Sequence, residues 1–141
     1  IDYSQFTFID LGSGKGRTLL MASEYPFHRI LGVELLPELH RIAMDNIARY
    51  KGGVGERVES ICADARHFEF PPAPMVLFLF NPFPQTVFEE VLDNLMQSLA
   101  LYKQTVYLIY HNPVLELVLA GQPELKLLRR ADQYSIFVTG L

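Results

Sequence analysis

The chain has 141 residues, half of them apolar and a fifth charged, which suffices for one core and excludes a disordered chain. Nine Gly and nine Pro count against a coiled coil or a plain helical bundle, and a net charge of −4 does not favour a nucleic-acid grip, which usually needs a basic face. A single cysteine, Cys62, excludes an internal disulfide and a Cys-rich zinc site, and no stretch approaches the ~20 apolar residues of a membrane span. The expectation is a cytoplasmic protein without a membrane partner. No signal peptide is visible. The chain starts at Ile1, a few residues before its strongest motif, so it reads as a piece of a longer protein whose N-terminal part is absent.

Strand and helix patterns alternate along it. Gln5 to Leu11 is an apolar strand running into the turn Gly12-Ser13-Gly14-Lys15-Gly16. Arg17 to Tyr25 predicts a short helix stopped by Pro26. Arg29 to Glu34 is a second strand. Pro37 opens a helix with Leu39, Ile42, Ala43, Ile47 and Tyr50 on its apolar face, ended by Gly52 and Gly53. Arg57 to Cys62 is a third strand, leading to Ala63-Asp64, and Cys62 is expected to be a buried small apolar residue.

Residues 75–80 (MVLFLF) are continuously apolar, as in a strand buried on both faces. Asn81-Pro82 ends it. Thr86 and Glu89 have capping-box spacing, and Val87, Val91, Leu92, Leu95 and Leu99 give the face of the following helix. Thr105 to Tyr110 is a fifth strand. Asn112 is placed to cap a helix with Pro113 at its first position and Gly121 after its end. Leu125–Leu128 and Tyr134–Val138, joined by a polar turn, predict a hairpin. Five strands separated by helices must be mostly parallel, and the hairpin inserts one antiparallel strand. Residues 1–141 read as a single α/β domain.

Four successive strands end in polar residues on the carboxyl edge, where such sheets bind ligands: Asp10, Glu34, Asp64 and Asn81. The glycines permit positive φ and let a ligand approach the backbone. Glu34 lies where an acid binds ribose hydroxyls in a doubly wound sheet. The glycine spacing is GxGxG, and Arg17 stands where the dinucleotide fingerprint GxGxxG needs its third glycine, which disfavours NAD or NADP.

These segments, DLGSGKGR, GVE, CADA and FNPF, resemble motifs I, post-I, II and IV of the class I S-adenosylmethionine (SAM)-dependent methyltransferases. The resemblance covers Phe6 to Leu141. It implies a Rossmann-like doubly wound sheet of seven strands, mostly parallel with a C-terminal antiparallel hairpin strand. It implies a SAM-binding core without the N-terminal lid and substrate helices, with S-adenosylhomocysteine as product. By the same resemblance Asp10, Gly12, Ser13, Gly14 and Gly16 lie against the methionine part of the cofactor. Glu34 holds the ribose, Leu35 lies beside the adenine, and Asp64, with Ala65 next to it, accepts from the adenine amino group.

Asn81-Pro82-Phe83-Pro84 resembles the Asn-Pro-Pro-aromatic motif of amino-group methyltransferases, in which the Asn oxygen and a Pro carbonyl hold the acceptor amine. Here Phe83 replaces the second Pro. Phe83 and Pro84 read equally as a substrate wall or as a plug at the helix start. There is a remote likeness to the non-SET histone-lysine methyltransferases. His111 is a candidate general base, or a polar residue at a helix start. Lys15 and Arg17 lie either near the cofactor carboxylate or a substrate anion, or in solvent. His28, His40 and His67 have no metal-ligand spacing with Cys62, so no metal is expected. The acceptor, a small molecule or a protein side chain, stays open. So do two other readings: a SAM-binding domain without catalysis, and an aminopropyltransferase of the same fold, whose fourth-strand site is acidic rather than Asn-Pro-Phe.

Overall fold

Thr7–Leu11 (β1) is buried at every position, and Arg29–Glu34 (β2) at every position but its first, as apolar parallel strands covered on both faces must be. The computed structural model describes residues 1–50, 55–80 and 83–139. These fall into two compact units, Ile1–Ala65 and Arg66–Leu141. Seven strands make up the expected Rossmann-like α/β fold, mostly parallel with antiparallel pairing at the C-terminal hairpin.

In the first unit β1 and β2 pair in parallel, with Asp10 opposite Gly32, and Val58–Cys62 (β3) pairs with the other side of β2, placing Cys62 opposite Glu34. Helix α1 (Arg17–Ala22) joins β1 to β2 and stops short of Tyr25. The reason is Arg57, whose guanidinium donates to the carbonyls of Ser23 (2.7 Å), Tyr25 and Phe27 (both 3.2 Å) and so holds the chain in a turn. Helix α2 (Pro37–Arg49) has Pro37 in its first turn, as expected. Only Ala43 is fully buried on it, and Ile42, expected on the apolar face, is exposed. The small residue is needed because a Cβ on Gly16 would lie 3.2 Å from that of Ala43. Gly52 and Gly53, expected to end α2, lie outside the described residues. Cys62 is exposed rather than buried, with its thiol directed to the Leu35 carbonyl at the open end of the sheet.

In the second unit Met75–Phe80 (β4) and Val106–His111 (β5) are parallel, Tyr134–Thr139 (β7) is antiparallel to β5, and Leu125–Arg130 (β6) is antiparallel to β7. Helix α3 (Gln85–Leu101) buries Phe88, Val91, Leu92 and Leu95, so Phe88 takes the place expected of Val87. The capping box does not form: Pro84 precedes the helix, Thr86 lies inside it, and Glu89 accepts from Gln85 one turn earlier at 3.0 Å. β5 extends one residue further than predicted, so His111 belongs to the strand. Asn112 takes a left-handed conformation, φ 56°, and cannot cap. Helix α4 therefore starts only at Glu116 and runs to Ala120. The buried Tyr110 hydroxyl accepts from the Leu115 N–H at 3.1 Å, fixing that turn. Glu116 then accepts from Arg130 and Ser135, tying α4 to the hairpin. Among the described residues no helix is long and apolar enough to cross a membrane.

Candidate functional site

The turn after β1 is anchored by its own backbone. The N–H groups of Gly12 (2.8 Å) and Ser13 (3.2 Å) both donate to the Val33 carbonyl, and Gly16 N–H donates to the Ser13 carbonyl at 3.0 Å. Asn46 on α2 donates to the Lys15 carbonyl at 2.9 Å. Gly12, Gly14 and Gly16 have φ of 89°, 56° and 85°, the left-handed region in which side chains are strained. A Cβ on Gly32 would lie 2.5 Å from Ser13 Oγ and 2.6 Å from Leu19 Cδ1, so β2 must carry glycine where the turn folds down on it.

Glu34 is the pivot. It is 7% exposed, its Oε1 accepts from Gly14 N–H at 2.8 Å, and its Oε2 accepts from Leu36 N–H at 2.9 Å. A carboxylate offers about four lone-pair directions, so two remain for a ligand's hydroxyls. Above Gly14 a Cβ would meet nothing within 4 Å, which leaves open space against bare backbone. Leu35, next to Glu34, is an exposed apolar side chain at 59%. Ala63 N–H donates to the Glu34 carbonyl at 3.1 Å, which brings the end of β3 alongside, with Asp64 half-buried and Ala65 buried.

Asp10 lies behind the turn, 4% exposed. Burial pushes its carboxyl up to about 7, against the pull of a hydrogen bond from Thr18, and the Glu34 charge adds to the rise. Ser13 Oγ is buried without a hydrogen-bond partner. Lys15 and Arg17 are exposed.

The structure thus brings together Asp10, Gly12, Ser13, Gly14, Gly16, Glu34, Leu35, Asp64 and Ala65 in the first unit. The N–H groups of Gly12, Ser13, Gly14 and Gly16 are all spent within the protein. A loop that cradles phosphate presents such groups free to the anion. This turn instead offers acceptors and apolar surface, the recognition a nucleoside with hydroxyl and cationic groups requires, and the residues present fit SAM. Thr18 was not legible as a site residue: a threonine inside the first turn of a helix carries no sequence signal of its own.

In the second unit Asn81 and Pro82, expected to position the acceptor, lie outside the described residues. Phe83 is half-buried. His111, half-buried, has its ring 4.6 Å from that of Phe80 and 6.4 Å from that of Phe78, and its Nδ1 is buried without a hydrogen-bond partner. Phe80 is 55% exposed at the carboxyl end of β4 and pairs in register with His111. Sequence reasoning passed over it as one more residue of an apolar run. Among the described residues no group of three His, Cys, Asp or Glu is arranged to hold a metal ion.

A family model described as a methyltransferase domain matches residues 8–101. No curated protein matches the chain. Among solved structures, the methyltransferase domain of bacterial CtHen1-CN is similar with a TM-score of 0.66 at 14% identity, over 96% of this chain and 90% of that one. An RNA methyltransferase from Salinibacter ruber in complex with S-adenosylhomocysteine gives 0.63 at 19%, over 99% and 82%. A TehB-like SAM-dependent methyltransferase from Corynebacterium glutamicum gives 0.62 at 15%, over 94% and 78%. At such identities the likeness is one of fold.

Proposed function

Since the chain belongs to the class I SAM-dependent methyltransferase family, we propose that it transfers the SAM methyl group to an amino nitrogen of a small molecule or a protein side chain. The observation that carries the reading is the Glu34 carboxylate. Two backbone N–H groups hold it at the end of β2, beside open glycine backbone and an exposed Leu35. When bound, the cofactor supplies an electrophilic methyl on a sulfonium.

The chain's part is to bind, orient and position. Glu34 accepts from the ribose hydroxyls with its two remaining lone pairs, and Leu35 gives the adenine an apolar surface. Asp64 accepts from the adenine amino group, next to Ala65. The turn from Gly12 to Gly16 admits the methionine part against bare backbone, with the Asp10 charge behind it. The Asn81 side-chain oxygen and the Pro82 carbonyl hold the acceptor amine so that its lone pair is aimed at the methyl, and Phe83 walls the acceptor. His111, supported against Phe80, takes the proton that the amine gives up. A net charge of −4 supports an acceptor other than nucleic acid. The compartment we propose is the cytoplasm, where the exposed Cys62 thiol stays reduced.

The test is transfer of labelled methyl from SAM to a panel of amines, amino-acid side chains in peptides, phenols and oligonucleotides, using the longest form of the protein that the cell makes. Label on amines supports the reading. Label confined to oxygen, carbon or nucleic-acid acceptors refutes the amino-nitrogen assignment. SAM binding with no label on any acceptor favours a domain that binds without catalysis.

A further inference from the structure

Asp10 is the register partner of Gly32, and Glu34 stands two residues beyond Gly32, so both acids fall on the same face of adjacent strands. Between them Gly32 has no side chain, and Ser13 Oγ fills its place without a hydrogen-bond partner. The three side chains form one buried cluster, at 4%, 7% and 7% exposure. Their support is unequal. Glu34 accepts from two backbone N–H groups. Asp10 has one hydroxyl donor, Thr18.

We propose that Asp10, buried beside Glu34, carries a proton beneath the cofactor turn, and that SAM, a cation at sulfur, expels this proton on binding while S-adenosylhomocysteine, a neutral thioether, leaves more of it in place. This rests on the cofactor reading above. The balance is simple: the Asp10 carboxyl becomes carboxylate and the proton leaves to solvent. The buried acid thereby discriminates donor from spent product by charge and helps to release the product. Burial and the Glu34 charge, which raise Asp10 to about 7, place the exchange in the neutral range. In this unit the charged groups on the elements around Asp10 are Glu34 and Arg29 on β2, the latter paired with Glu59 on β3, Lys15 on the turn and Arg17 on α1, these last two exposed. Asp64 follows β3, and His40 on α2 is engaged with Ser60.

Calorimetry of SAM binding at about pH 6 and about pH 8, in buffers of different protonation enthalpy, tests this. If only the ionised form binds, a carboxyl titrating near 7 makes the apparent Kd about tenfold weaker at the lower pH, since roughly nine-tenths of it is then protonated. The same titration with Asp10→Asn isolates the contribution of the ligand's own amino group, and the variant should lose the protein's share of the slope. S-adenosylhomocysteine should release less proton than SAM. Equal proton release for the two ligands, or an identical pH slope in Asp10→Asn, overturns the proposal. Should that variant not fold, carboxyl-carbon NMR of Asp10 in the ligand-free chain decides. A midpoint near neutrality that falls on adding SAM supports the Asp10 proton, and a midpoint in the ordinary carboxylate range overturns it. A folded chain that binds no SAM at any pH refutes the cofactor reading itself and this inference with it, whereas pH-independent SAM binding refutes the inference alone.

Discussion

Replacing Asp10 by Asn should stabilise the protein above neutral pH and leave it nearly unchanged in mild acid. In an unfolded chain an aspartate ionises near 4, whereas the folded chain holds its Asp10 proton up to about 7. Between those values the native state binds more protons than the unfolded state, so stability is lost as pH rises from about 4 through about 7 and is constant above. The span corresponds to about 4 kcal/mol, at about 1.4 kcal/mol per pH unit. Asparagine is neutral throughout and escapes the loss. It gives back about 1 kcal/mol if its hydrogen bond with Thr18 is poorer. The expected net gain near pH 8 is about 3 kcal/mol, or roughly 10 °C in Tm for a chain of this size. Urea unfolding of both proteins at about pH 5 and about pH 8 measures it. A variant less stable than the parent at pH 8, or a difference that does not change with pH, would refute the account of Asp10 as a buried, proton-holding acid.

Three further outcomes follow from the site. Gly14→Val should remain folded, because open space surrounds its Cβ and the cost is about 1–2 kcal/mol of left-handed strain, but SAM binding by calorimetry should be lost. Glu34→Ala should lose both binding and stability, since the same carboxylate holds Gly14 and Leu36. A fall in SAM affinity of about tenfold or more, with about 2–4 kcal/mol lost in urea unfolding, is expected, and Glu34→Gln should recover part of the stability. Asn81→Ala should lower labelled-methyl transfer on the order of 10²-fold with SAM affinity unchanged; activity that falls only with the folded fraction would remove the acceptor role.

The turn and the strand ends of the candidate site were legible in the sequence because their signals are backbone signals. The glycines of the turn mark positive φ, and acids that close apolar strands mark the carboxyl edge of a parallel sheet. The strands at 29–34 and 75–80 were legible with correct ends, since nothing competes with a strand there. What escaped was decided by contacts distant in the chain. α1 ends early because Arg57, thirty-four residues beyond Ser23, takes up its carbonyl. α4 starts late because Asn112 turns left-handed, its N–H donating to Gln133 across the hairpin at 2.7 Å. Thr86 and Glu89 had the spacing of a cap, yet Pro84 already began the helix before them. The pairing of Phe80 with His111 follows from the parallel register of β4 with β5, which no local pattern encodes.

The measurement closest to the central claim is calorimetric titration of the purified chain with SAM, with NAD titrated in parallel. One saturable site for SAM is expected, competed by S-adenosylhomocysteine and absent in Gly14→Val, and no comparable binding of NAD, because the N–H groups of Gly12, Ser13, Gly14 and Gly16 are already spent within the protein. A folded chain that takes up NAD in preference to SAM, or that binds SAM undiminished in Gly14→Val, would contradict it.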